Sequence, residues 1–225
     1  MKPSVEELAA GGIFGFWKPK GPSSHVFLNK IRRLTGVRRI GHAGTLDPLA
    51  SGILVVGIGS EFTKQLATSV EKEKEYLAKI KLGYESSTDD EEGEKVAVNP
   101  DYKPTLAGIA EKLPKFLGVI SQVPPKISAI KIHGKTAYRR TRAGEVFEIK
   151  PRPIEIKEIR LISYAWPYVV LRVVTGPGAY IRAIARDLGR ELRTGAYLAD
   201  LERVRVGEFT IDNAIRLPVT INDAF

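Results

Sequence analysis

Apolar residues recur along this chain in two periods, and their alternation sets the expected architecture. Residues 13–17 (IFGFW) read as a short strand, closed by Pro19 and the turn Gly21-Pro22. Ser23 or Ser24 is placed to cap a helix over residues 25–35, with Val26, Ile31 and Leu34 as its apolar face and Gly36 as its stop. Residues 53–58 (ILVVGI) form an unbroken apolar run, a buried strand, and residues 61–70 read as a helix. Residues 75–82 place Tyr76, Ala78, Ile80 and Leu82 on one face, and residues 154–162 alternate likewise, so both predict strands with one wet face. Residues 105–116 predict a helix and residues 169–174 a strand. Residues 181–191 predict a helix with Ile181, Ile184, Ala185 and Leu188 facing inward. Strands and helices interleave, but the amphipathic strands favour a largely antiparallel α+β sheet over a doubly wound parallel one. No repeat or linker breaks the pattern, which predicts one continuous domain over residues 1–225.

Composition narrows the chemistry. Cysteine is absent, which removes disulfides, thiolate zinc sites and a cysteine nucleophile together. The three histidines, His25, His42 and His133, share no metal-ligand spacing, so no metal is expected. The longest apolar run is far short of the roughly 20 residues that span a bilayer, and the N-terminal MKPSVEELAAGG has no sustained apolar stretch. The expectation is a soluble, cytoplasmic protein, monomeric and without a membrane partner.

The formal charge is +9, and its placement is uneven. Residues 18–42 carry seven basic side chains (Lys18, Lys20, Lys30, Arg32, Arg33, Arg38, Arg39) and no acid. Residues 126–152, which include Arg139, Arg140 and Arg142, carry eight basic side chains against Glu145 and Glu148. Between the two blocks, residues 85–94 pack six acids into ten positions and read as a solvated loop. Two basic blocks converging on one surface would track a phosphate backbone, which points to nucleic acid.

Two nucleotide-binding motifs fail on inspection. Gly134-Lys135-Thr136 ends like a phosphate-binding loop, but Ala129 stands where its first glycine belongs. Gly57-Ile58-Gly59 follows a strand, but Phe62 occupies the third glycine position. The informative stretch is residues 41–52, GHAGTLDPLASG, an irregular loop feeding the buried strand. Asp47 is the sole acid between Lys18 and Ser60. A lone Asp before Pro is commonly a turn residue. Among so many cations, however, a carboxylate stays ionised and close to a polyanionic substrate, as a carboxylate nucleophile requires.

These residues carry a resemblance. KPKGPSSH (18–25) followed by GHAGTLDPLASG resembles the TruB family of tRNA pseudouridine synthases, whose second motif holds the catalytic aspartate. The likeness continues in order along the chain. Lys74-Glu75-Tyr76 resembles a KEY strand, and Leu82-Gly83 with Thr88-Asp89-Asp90 and Gly93 an LGxxTxTxDxxG segment. QVPPKISAIKIHGKTAY (122–138), GAYIRAIARDLG (178–189) and LERVRVGEF (201–209) match the remaining motifs. Ser23 stands where threonine is usual, and Glu202 where the family often has arginine.

The resemblance implies the pseudouridine synthase fold, a bent, mixed and largely antiparallel sheet flanked by helices, with an insertion at about residues 123–152. It implies isomerisation of the T-loop uridine at position 55 of tRNA, with no cofactor. It makes Asp47 the essential carboxylate, Tyr76 the residue stacked on the target base, and Arg182 the partner of the carboxylate. It places Tyr180 and Leu201 at the base pocket and His42 where the T-loop pairing opens. Lys18 and Lys20 would contact phosphate or support the Asp47 loop, and Arg139 and Arg142 would face the T arm. The chain ends about sixteen residues after Phe209, so no RNA-binding PUA domain is expected. Two rivals stand beside this reading: a tRNA-binding chaperone without turnover, and the same chemistry on guide-directed or ribosomal RNA.

Overall fold

A computed structural model describes residues 3–70, 72–98 and 100–217. Part of the segment that follows Phe209, on which the absence of a PUA domain was expected, lies outside the described residues. In chain order the elements begin α1 (Val5–Ala9), β1 (Gly12–Lys18), α2 (Ser24–Thr35), β2 (Ile40–Ala43), β3 (Ala50–Ile58) and α3 (Ser60–Val70). They continue with β4 (Lys74–Leu82), β5 (Tyr84–Ser86), β6 (Lys95–Ala97), α4 (Leu106–Lys112), a 3-10 turn (Leu113–Phe116) and β7 (Gly118–Gln122). The hairpin β8 (Lys131–Ile132) and β9 (Lys135–Thr136) leads into α5 (Ala137–Arg142). The last elements are β10 (Arg152–Ala165), β11 (Tyr168–Thr175), α6 (Ile181–Glu191), β12 (Ala196–Val206) and β13 (Phe209–Thr210). The fold is a mixed α+β arrangement whose sheet is mostly antiparallel. Two compact units are present, residues 1–77 with 201–225, and residues 78–200.

The first unit is organised on β3, every residue of which is buried. β1 runs antiparallel along it, from Gly12 opposite Ile58 to Lys18 opposite Gly52. β2 pairs antiparallel with the far end of β3, and Leu201–Arg203 of β12 pair parallel with Ala50–Gly52 at its start. Ile53, Val55, Leu66 and Val206 form the core beside it, with Trp17 and Phe209 packed at the margin. The 41–52 stretch therefore differs from the expected loop. Pairing with β3 extends both flanking strands inward and leaves only residues 44–49 irregular.

Helix α2 starts as expected: Ser23 accepts a hydrogen bond from Val26 N–H, and Gly36 closes the helix with φ 71°. Its inward face differs. Phe27, Leu28 and Ile31 are buried and Val26 is exposed, because this helix lays positions i, i+1 and i+4 on the sheet.

Residues 44–48 have no strand ladder, yet all five of their carbonyls accept hydrogen bonds. The guanidinium of Arg203 donates to Gly44 O at 2.9 Å and to Thr45 O at 3.4 Å, and also to Ile53 O at 2.7 Å. Ser24 Oγ donates to Leu46 O at 2.8 Å and accepts from Leu46 N–H at 2.9 Å. Ala50 N–H donates to Asp47 O at 3.1 Å, and Gly21 N–H to Pro48 O at 2.9 Å. Gly52 makes the Arg203 approach possible. It has φ +114°, and a Cβ there would lie 2.2 Å from the Arg203 carbonyl oxygen.

Lys18, the last residue of β1, is fully buried and donates to Pro19 O at 2.8 Å and Pro22 O at 2.9 Å. Of the two expected roles, phosphate contact or support of the Asp47 loop, a side chain with no exposed surface does not serve the first; its bonds brace the turn at 19–22, whose Gly21 N–H in turn holds Pro48 O. Burial pulls its amine down to about 8; Asp47 opposes that shift and Arg203 adds to it.

The second unit holds β4, β11, β10 and β7 in that order, with antiparallel β10–β11 and β10–β7 pairs. The helix expected over residues 105–116 stops at Lys112 and tightens into the 3-10 turn, where Pro114 has no N–H to continue it. Residues 123–152, where an insertion was expected, hold β8, β9 and α5. Helix α6 buries Ile181, Ala183, Ile184, Ala185 and Leu188, and at Gly189 its backbone comes against Ala196.

Two outcomes are expected. Gly189→Ala would gain about 1 kcal/mol in an exposed helix. Here the new Cβ would sit 2.3 Å from Ala196 N, so urea unfolding should show a loss of about 2–4 kcal/mol. The second concerns Lys18. Between its folded value of about 8 and the ordinary 10.5, the unfolded chain holds a proton that the folded chain has released. Stability therefore rises with pH across that window, by about 3 kcal/mol in total. The stability of the parent relative to Lys18→Met should grow between pH 8 and 10; a constant difference would show an ordinary amine.

Candidate active site

In the first unit Asp47 sits at the middle of the pinned loop, half-exposed, next to the buried Leu46. Its backbone cannot relax without breaking bonds to Arg203, Ser24, Gly21 or Ala50. Behind the loop lie Lys18 and Arg203, both buried. The Lys18 charge and the Asp47 carboxylate attract each other.

His42 lies on β2, opposite Val56 of β3. Burial, then the charges of Arg203 and His25, lower its pKa, so the ring is neutral at pH 7. Its Nδ1 is buried with no hydrogen-bond partner among the described residues. Tyr76 occupies a buried position of β4, in the alternation the sequence predicted. Leu201 is buried at the start of the parallel pairing, opposite Ala50, three residues beyond Asp47. The strand order β3, β12, β4 sets the Leu201 strand between β3, which follows the Asp47 loop, and the Tyr76 strand. Lys20 is exposed on the turn after β1. Glu202 accepts a hydrogen bond from the Trp17 indole at 3.4 Å, and the neighbouring Arg203 supplies the buried cation.

In the second unit Tyr180 is the N-cap residue of α6 and makes no side-chain cap. The side-chain amide of Gln122 holds it, accepting from Tyr180 N–H at 2.9 Å and donating to Tyr180 O at 3.1 Å. Arg182, in the first turn of the same helix, is buried. A cation there opposes the helix dipole and must be paired. Its guanidinium meets Asp90 Oδ2 at 3.2 Å and donates to Thr88 O at 3.3 Å and Ile127 O at 3.0 Å.

The acidic segment 85–94 is thus corrected. Asp90 is 2% exposed and Asp89 pairs with Arg186 at 2.9 Å, so its two aspartates anchor a turn onto α6 instead of facing water. Burial raises the Asp89 carboxyl above its ordinary range despite Arg186. Arg186 also donates to Val123 O at 2.8 Å, tying the segment after β7 to the helix. On α5, Arg139 and Arg142 are exposed, Arg142 donating to the Tyr138 hydroxyl at 3.1 Å. Arg140 instead donates to Ile132 O and pairs with Glu145.

Sequence reasoning missed Arg203, Ser24's bond to the loop, Gln122 and the paired aspartates. One signal was available for Arg203: it stands two residues from Leu201 on an alternating strand, hence on the same inward face.

Comparisons with known proteins agree with the motif order. The model of the TruB family pseudouridylate synthase N-terminal domain matches residues 32–181. The tRNA pseudouridine synthase B of Thermobifida fusca is 43% identical over 92% of this chain and 73% of its own length. The protein of the same name from Parabacteroides distasonis is 42% identical, over 96% of this chain and 94% of its own length. Among solved structures, the crystal structure of a Cbf5-Nop10-Gar1 complex contains a chain that superposes with a TM-score of 0.71, at 26% identity over 96% of this chain. This chain spans 55% of that longer one. The match covers the loop of Asp47, the strand of Tyr76 and the start of α6, and the chain belongs to the TruB family of pseudouridylate synthases.

Proposed function

We infer that this protein isomerises a uridine of tRNA to pseudouridine, with the T-loop uridine at position 55 as its target and Asp47 as the catalytic carboxylate. One observation carries the reading. A half-exposed carboxylate stands on a loop whose five consecutive carbonyls are all held, and such preorganisation is what an anionic group needs at a reacting nucleotide. Identity of 43% to a protein named tRNA pseudouridine synthase B supports tRNA as the substrate.

The reaction breaks the N1–C1′ bond, rotates the uracil and joins C5 to C1′; the C5 proton leaves and N1 gains one, so atoms and electrons balance without a cofactor. Asp47 serves as the anionic catalyst at the sugar or base. Tyr76 supplies an aromatic face for a base taken out of its stack. Leu201 and Tyr180 line the base, and a neutral His42 takes up space where the T-loop pairing opens. Arg182 is assigned to the Asp47 carboxylate by resemblance. Lys20, Arg139 and Arg142 remain the exposed candidates for phosphate along the T arm.

Asp47→Asn keeps the loop's backbone bonds and removes the charge. Pseudouridine mapping of tRNA incubated with the purified variant should show no product, with tRNA affinity within several-fold of the parent. Product formed by the variant would refute the assignment, and an equal loss of folding would make Asp47 a turn residue. Arg182→Lys keeps the charge and loses the planar fork. Turnover should fall at least about tenfold, as loss of one transition-state contact predicts, while tRNA affinity is retained. A near-parental rate would confine Arg182 to holding the Asp90 turn.

A further inference from the structure

A cleft of about 500 Å³ in the second unit is lined by Tyr102, Lys112, Lys115, Arg190, Glu191 and Arg193. None of these belongs to either basic block of the sequence or to the expected site. Four cations face one acid, and that acid is already answered: Lys115 meets Glu191 at 2.5 Å. Lys115, with a smaller contribution from Lys112, holds the Glu191 carboxyl below its ordinary range. Lys112 contacts Glu111 at 3.1 Å, and Arg190 reaches Asp187 only at 3.4 Å, an acid already bound by Arg186. The exposed Arg193 guanidinium has no hydrogen-bond or ion-pair partner among the described residues.

The backbone adds an independent observation. Arg193 has φ 55°. Its N–H donates to Arg190 O at 3.0 Å and Thr194 N–H donates to Gly189 O at 2.9 Å, the double-bonded ending of a helix whose left-handed position belongs to glycine. An arginine there carries strain that glycine would not. The helix dipole attracts a cation at this end, but Arg190 in the last turn already meets that need. The Tyr102 hydroxyl donates to Leu192 O at 2.5 Å, fixing the wall of the cleft and leaving its ring half-exposed beside the cations.

We propose that this cleft is a phosphate-binding subsite for the RNA backbone, with Arg193 and Lys112 as its principal cations and Tyr102 as a face for a ribose or base. The proposal rests on the reading that the protein binds RNA. Several cations spread around an open cleft, with an aromatic ring between them, suit successive phosphodiesters of a strand.

Arg193→Gly tests it, because glycine suits the backbone and only the guanidinium is lost. The variant should melt at or above the parental temperature. Its tRNA affinity should fall about three- to tenfold at about 50 mM salt, and the slope of log K against log salt should drop by somewhat under one unit. Lys112→Gln should do the same, while Arg193→Lys should stay near the parent. Parental affinity in both Arg193→Gly and Lys112→Gln at low and high salt overturns the proposal. So does binding of inorganic pyrophosphate that depends on Arg193 while tRNA affinity does not, since the cleft would then serve a free anion. Pseudouridine formation is read in parallel. Turnover by the parent with unchanged affinity in the variants removes the cleft alone, whereas a parent that neither binds nor converts tRNA removes the functional reading and the cleft with it.

Discussion

The Asp47 loop depends on one buried cation. Arg203 is 2% exposed and spends its guanidinium on three backbone carbonyls, two in the loop and one on β3. An arginine cannot discharge on burial, as a lysine or histidine can. Burial lowers the Lys18 amine to about 8 and lowers the His42 pKa, and the fixed charge of Arg203 adds to both shifts. The result is a loop with a permanent positive charge behind it and a carboxylate in front. The parallel pairing of Leu201–Arg203 with Ala50–Gly52 brings the arginine there, and Gly52 is the opening that admits it.

The second unit repeats the device with a different accessory. Arg182 and Arg186 lie four residues apart and so share a face of α6. They gather the Thr88–Asp90 turn and the carbonyls of Val123 and Ile127. Here carboxylates join the carbonyls, because the buried guanidinium of Arg182 in the first turn would otherwise oppose the dipole. Buried ion pairs of this kind contribute little net stability but cost heavily when halved. Their effect is to fix where the turn and the segment after β7 meet the helix.

Much of this was legible in the sequence. β1, β3, β4, β10, β11, α2 and α6 each carry their own apolar period, and Asp47 stood out as the one acid in a basic stretch. β2 and β7 were not, since IGHA and GVISQ have no alternation and are strands only through β3 and β10. β12 was hidden by its charges, Asp200, Glu202, Arg203 and Arg205, which read as a wet segment until their partners are known. Arg205 answers Glu75 at 3.0 Å and also pairs with Glu73, and Arg203 answers the loop. The acidic turn failed for the same reason. Asp89 meets Arg186 97 residues further along the chain, a distance over which composition says nothing about pairing.

The same accounting changes what the net charge means. A formal +9 suggests a surface made for phosphate, but several cations of the two basic blocks face inward or are committed. Lys18 is sealed under the loop, Arg32 donates to Asn29 and to the carbonyls of Arg38 and Ile40, and Arg140 holds Ile132 and Glu145. What reaches solvent is a smaller set, including Lys20, Arg38 and Arg39 in one block and Arg139 and Arg142 in the other. Only such groups can release counterions from RNA. Exposed cations outside the blocks, at the end of α6 and on α4, then weigh more than their share of the sequence implies. Electrostatic recognition in this fold is set by which arginines the backbone has not already consumed.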